Sequence, residues 1–169
     1  RIQRMQDLVN NTTSRGEFLP DYSREIRFKC SVRDNRAGGG GFADGLKTMA
    51  VTADAGPFLV QSPNGGDAVT GNSQLPISWD VAGTNGNGVN CSAVDIFLST
   101  DGGYTFPILL LGGTPNDGSA TVSLPNLSTS NARIKVKASN NVFFDISNEN
   151  FSIELGPLVN HDLAITGFQ

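Results

Sequence analysis

Apolar and polar residues alternate in short runs along most of this chain, with a period of two rather than the 3.6 of a helix. The clearest run lies at 94–106. Val94, Ile96 and Leu98 alternate there with Asp95, Phe97 and Ser99, the pattern of a half-buried strand. Asp101-Gly102-Gly103 follows as a hairpin turn, because glycine takes the positive φ that such turns need. Residues 104–111 carry the chain back as an apolar run.

From the N-terminus, the same periodicity orders the rest of the chain. Residues 1–20 are polar, with one short helical turn at Met5, Leu8 and Val9 that Asn10-Asn11-Thr12-Thr13-Ser14 ends. Residues 24–34 form a strand with Ile26, Phe28, Cys30 and Val32 on one face and Arg27, Lys29, Ser31 and Arg33 on the other. A glycine-rich loop at 35–45 leads to a second strand at 46–53, which completes a long hairpin. Strands follow at 58–62, 75–81, 94–99, 104–111, 120–124, 133–138, 142–146 and 151–155. Trp79 shares a face with Leu75, Ile77 and Val81 and is expected as a core anchor. Arg133, Lys135 and Lys137 are expected on a solvated outer face that discourages edge pairing, with an acidic partner surface as the alternative.

About eight short strands with turns every 8–12 residues point to an all-β fold. The expected architecture is an antiparallel Ig-like or fibronectin III-like β-sandwich, preceded by the terminal hairpin of a second β module. Charge supports a division. Residues 1–55 hold nine Lys/Arg against seven Asp/Glu, a balance of +2, and residues 56–169 hold three against nine, −6. The expected units are therefore 1–55, the C-terminal strands of a preceding module; 56–156, a complete sandwich; and 157–169, a linker or the start of a further module. A lone hairpin is marginal in water, so 1–55 reads as the end of a module whose first half is absent or supplied by a neighbour.

The net charge of −4 argues against nucleic acid as a partner. No apolar run is long enough to span a membrane. No signal peptide is recognisable, and the opening at Arg1 reads as a processed or excised fragment. Cys30 is expected as a small buried core residue. A disulfide to Cys91 is the alternative; it would be worth about 4 kcal/mol in chain entropy but would have to bridge the two units.

Little in the chain suggests turnover. The only histidine is His161, no His-Glu-x-x-His occurs, and no Gly-x-Ser-x-Gly elbow occurs. The loop Gly38-Gly39-Gly40-Gly41 lacks the Lys-Ser/Thr ending of a phosphate loop. Asp67, Asp101, Asp117 and Asp145 sit beside Gly, Asn or Ser in expected turns, where their side chains bond backbone amides. Calcium at one of these turns is the alternative, without an Asp-x-Asp-x-Asp-Gly spacing to support it. Catalytic, cofactor-binding and metal residues are accordingly expected to be none in this chain.

Two resemblances add to this. Ser99-Thr100-Asp101-Gly102-Gly103-Tyr104-Thr105-Phe106 resembles the Asp-box, Ser-x-Asp-x-Gly-x-Thr-Trp, with Phe in place of Trp. That motif is a self-bonded hairpin of sialidases and other extracellular β proteins, and it implies a structural hairpin in a secreted setting. A longer series runs through Ser62-Pro63-Asn64-Gly65-Gly66, Trp79-Asp80-Val81-Ala82-Gly83-Thr84, Val89-Asn90-Cys91, Leu98-Ser99-Thr100-Asp101-Gly102-Gly103 and Thr114-Pro115-Asn116-Asp117-Gly118-Ser119. Ala132-Arg133-Ile134-Lys135-Val136 and Phe143-Phe144-Asp145-Ile146-Ser147-Asn148 complete it. This order resembles the Ig-like or fibronectin-like accessory modules that follow the catalytic domain in secreted reprolysin-like zinc metallopeptidases of Bacteroidetes-type bacteria. The segment at 33–41 resembles the end of the module that precedes it there, and a looser likeness exists to a β domain of yeast cell-wall proteins.

The resemblance implies a non-catalytic, secreted accessory region, a spacer or a substrate- or surface-binding module, with zinc confined to the parent's catalytic domain. Implied partners are that catalytic domain, neighbouring β modules, a protein substrate or a cell-surface glycan. A carbohydrate-binding or adhesion module of a cell-surface protein, using exposed aromatics such as Phe97 or Tyr104, is the competing expectation.

Overall fold

The computed structural model describes residues 4–16, 20–34 and 36–157. His161 and nearly all of the expected unit 157–169 lie outside the described residues. The described chain is all-β apart from one helix, α1 (Met5–Val9). Its strands are β1 (Arg24–Arg33), β2 (Phe42–Val51), β3 (Leu59–Ser62), β4 (Ala68–Thr70), β5 (Gln74–Asp80), β6 (Ala93–Ser99), β7 (Ile108–Pro115), β8 (Ser119–Ser123), β9 (Thr129–Ala138), β10 (Phe144–Ile146) and β11 (Phe151–Glu154).

Two sheets form the sandwich. The smaller is β3-β5-β8, and the larger runs β4-β11-β9-β6-β7. β9 is the long strand of the larger sheet. One of its edges pairs with β6, and the other is shared by β11 near Thr129–Ala132 and β10 near Lys135–Lys137. Alternation puts Ala132, Ile134, Val136 and Ala138 of β9 inside, with Val94, Ile96 and Leu98 of β6. Leu75, Ile77 and Trp79 of β5, Val60, Val122, Phe151 and Ile153 meet them from the other strands. Trp79 is the anchor its spacing predicts, 2% exposed.

A buried polar network holds one end of this core. Trp79 Nε1 donates to Asn116 Oδ1 at 2.9 Å, and Asn116 Nδ2 donates to Thr84 Oγ1 at 3.0 Å and to the Cys91 carbonyl at 3.1 Å. The Thr84 hydroxyl donates in turn to the Val81 carbonyl at 2.7 Å. The network thus joins β5 to the loops before β6 and after β7. A second link closes the side of the sandwich: the Val60 amide of β3 donates to Asp145 Oδ2 on β10 at 2.7 Å. Asp145 stands in a strand, as the expected strand at 142–146 has it and not in the turn its neighbours suggest, and faces inward with Val136. Burial pushes its carboxyl above the ordinary 3.8, and the bonds from the Val60 and Ile146 amides only partly offset this.

Several strand expectations shift. β4 is an unexpected strand, and it pairs with β11 in parallel, so the larger sheet is mixed rather than purely antiparallel. β7 begins at Ile108, not at 104, because the turn after β6 uses residues 100–107. It also runs through Thr114 and Pro115, leaving the turn to 116–118. Pro115 fits there because β7 is an edge strand.

β1 and β2 pair in continuous antiparallel register from Arg24↔Val51 to Arg33↔Phe42. β2 starts earlier than the expected 46. Almost every residue of the pair is exposed. Cys30 is therefore exposed rather than buried: its face carries Ile26, Phe28 and Val32 as expected, but no second layer among the described residues covers that face. Both Cys30 and Cys91 are free thiols, so the alternative disulfide is not formed.

α1 and the residues after it bond the sandwich, Val9 through its carbonyl to Arg133 and Asn11 through its side chain to the Asn148 carbonyl, so contacts cross the expected boundary near residue 55. On the other side of the hairpin, the Gly56 amide donates to the Ala82 carbonyl at 2.8 Å and Asn87 Nδ2 to the Asp54 carbonyl at 3.1 Å.

Two outcomes follow. Asn116→Ala leaves the Trp79 indole N–H and the Cys91 carbonyl buried without a partner and should destabilise by about 2–3 kcal/mol in chemical denaturation. Asp145→Asn keeps an oxygen for the Val60 amide and removes a charge that burial disfavours. A raised folded pKa means that the folded carboxyl binds protons more readily than the unfolded one, so its stabilising effect grows as pH falls through that value. The variant should be at least as stable as the parent at pH 7, and its advantage should shrink on titration towards pH 4.

Candidate binding face

The outer face of the larger sheet is where the remaining chemistry collects. Alternation along β9 turns Arg133, Lys135 and Lys137 outward, opposite Ser99, Phe97 and Asp95 of β6. Phe144 and Ile146 of β10 face the same way, opposite Lys137 and Lys135. The three cations then diverge.

Arg133 is not on a solvated face. It is 8% exposed, because α1 covers it. Its Nη1 donates to the Val9 carbonyl at 2.7 Å and to the Ser147 carbonyl at 3.2 Å, and its Nε donates to Asn150 Oδ1 at 2.7 Å. Asn11 Nδ2 adds a bond to the Asn148 carbonyl at 3.0 Å. Val9 is 3% exposed. Gly103 makes this fit possible: a Cβ there would lie 3.0 Å from Arg133 Cδ and 3.3 Å from Val9 Cγ2, and its φ of +95° favours glycine besides. Burial draws the guanidinium pKa down, and the Glu149 charge opposes that.

Lys135 lies among three rings. Its Nζ is 4.3 Å from the centroid of Phe106, 5.0 Å from Phe97 and 5.9 Å from Phe144, all within cation–π range. Burial holds its ammonium pKa below the ordinary lysine value, and the charge of Lys137 lowers it further. Phe97, named as an exposed aromatic, is only half-buried and lies across from Lys135; Tyr104 is exposed, and Phe144 is 39% exposed. Leu109 of β7, opposite Phe97, extends the apolar surface at 56% exposure. Among the described residues neither Lys135 nor Lys137 makes an ion pair.

The Asp-box-like turn supplies Phe106. Ser99 Oγ donates to Asp101 Oδ1 at 2.6 Å and accepts from the Gly103 amide at 2.9 Å. Asp101 accepts from the Thr105 amide at 2.9 Å and the Thr105 hydroxyl at 2.6 Å. The turn is self-bonded, as the motif implies. These donors, Ser99 foremost and Thr105 next, hold the Asp101 carboxyl well below the usual carboxylate range. Fixing Thr105 fixes the next residue, so Phe106 is presented to Lys135.

Two further carboxylates are engaged similarly. Asp95 Oδ1 accepts from the Gly113 amide and the Ser139 hydroxyl, each at 2.8 Å, and Asp117 accepts from the Ser119 amide at 3.4 Å. Asp67 contributes its backbone carbonyl to the Ser152 amide at 2.9 Å. Among the described residues no three His, Cys, Asp or Glu side chains gather as a metal site. No described helix is long and apolar enough to cross a membrane.

The lysine–aromatic grouping escaped the sequence pattern because its rings come from three separate segments. Phe97 shares an outward register with Lys135, but Phe106 and Phe144 reach it only through the turn and through β10. No family model matches this chain, and no curated protein matches it either.

Arg133→Met should release α1 and cost about 1.5–3 kcal/mol, the range for hydrogen bonds to a charged group. Hydrogen exchange should show residues 5–12 losing protection while the amides of β5 and β6 keep theirs.

Proposed function

We propose that this chain is a non-catalytic accessory β-sandwich region of a secreted bacterial zinc metallopeptidase, acting as a module that binds a substrate or a surface. The observation that carries the binding role is the distribution of unspent chemistry. Asp95, Asp101, Asp145 and Arg133 are each engaged in bonds that build the fold, whereas Lys135 and Lys137 have no ion-pair partner among the described residues and stand beside part-exposed rings on one face. Such a face is suited to contact rather than to proton transfer.

The parent protein is proposed from the ordered motif series of the sequence, and the secreted setting from that series together with the Asp-box-like turn. Zinc belongs to the parent's catalytic domain, and no residue of this chain is assigned to it. A second reading, a carbohydrate-binding or adhesion module of a cell-surface protein, draws on the same rings of Phe97, Phe106 and Phe144.

The chain incubated with zinc and a fluorescent casein should release no peptides. Chelator-sensitive release by the pure chain would overturn the accessory role.

A further inference from the structure

Resting on the reading of this chain as a binding module, we infer that the outer face of the larger sheet, centred on Lys135, binds an anionic polysaccharide. Charge points to the sign of the ligand. Residues 56–157 carry three cations against eight acidic residues, and all three cations are on β9. Arg133 is sealed beneath α1, so Lys135 and Lys137 are the two cations of the sandwich left for a ligand. They stand two residues apart on one strand, roughly 7 Å by strand rise. An otherwise acidic module thus offers its positive charge at one place, where it attracts negative groups and the remaining surface repels them.

Surroundings point to a saccharide rather than a peptide. Peptides are held mainly by main-chain bonds at a sheet edge or by a groove that takes side chains. Here β6 and β9 are central strands, each paired along both edges, so a ligand on their face meets side chains only. What it meets is Phe97, Phe106, Phe144 and Leu109 around the Lys135 ammonium, with the Asp95 carboxylate across from Lys137 already engaged by the Gly113 amide and the Ser139 hydroxyl. The C–H face of a pyranose stacks on such rings, and a carboxylate or sulfate on the sugar pairs with Lys135 or Lys137. Lys135 is already partly removed from water, so pairing costs it less further desolvation than it would cost a fully solvated lysine.

Affinity electrophoresis and titration calorimetry with polygalacturonate, dextran sulfate, neutral dextran and polyglutamate test this. The parent should bind polygalacturonate or dextran sulfate, the stronger of the two naming carboxylate or sulfate as the recognised group. Lys135→Met and Phe144→Ala should each weaken that binding at least tenfold. Both side chains are part-exposed, and an unchanged melting temperature would confirm that the variants are folded. Lys47→Met, on the β1–β2 hairpin, should leave binding within twofold. Equal binding of neutral dextran would overturn the anionic requirement. Preference for polyglutamate would overturn the saccharide class while leaving the binding-module reading intact. Equal loss in Lys47→Met would overturn the location, and binding to none of the four would overturn the inference.

Discussion

The alternation of side chains along β9 is the constraint on which the rest of this structure depends. A strand can send successive residues only to opposite faces, so Ala132, Ile134, Val136 and Ala138 cannot enter the core without Arg133, Lys135 and Lys137 standing on the other side. A slip of one residue would bury three charges and expose four apolar side chains. Register is held firmly because β9 pairs on both edges, with β6 on one and with β10 and β11 on the other. The outer face of the larger sheet is thus a consequence of how its inner face is packed.

That outer face is treated differently at its two ends. Near Arg133 it is closed: α1 lies over it, Gly103 leaves the room, and the guanidinium binds carbonyls from segments far apart in sequence. Near Lys135 and Lys137 it stays open, with three rings drawn in from β6, the turn and β10. Closing the first end stabilises the N-terminal segment against the sandwich. Leaving the second end open puts half-buried aromatic surface in water, an arrangement that contributes little to folding and suits recognition.

Much of the sandwich is legible in the sequence because hydrophobic periodicity and turn chemistry are local properties. The alternation around Val94, Ile96 and Leu98, the Trp79 face and the self-bonded turn at Ser99–Thr105 all rest on residues close in the chain. The misreadings occur where a partner comes from elsewhere. Cys30 has the neighbours of a buried residue, yet none of the described residues covers its face. Asp145 has the composition of a turn, yet its carboxylate serves β3, 85 residues away. Residues 68–70 are too few to show a period, and only parallel pairing with β11 makes them a strand.

The sequence by itself determined that this protein is built of strands, which residues alternate into the core, and that its sandwich is acidic with its few cations on one strand. Those features are set by side-chain period and by charge count, neither of which needs a distant partner. Only the tertiary structure decided which of those cations is sealed and which is offered, where Asp145 acts, and that Phe97, Phe106 and Phe144 converge on one ammonium. These depend on contacts across tens of residues, and a linear pattern carries no record of which surfaces meet when the two sheets close and α1 folds back.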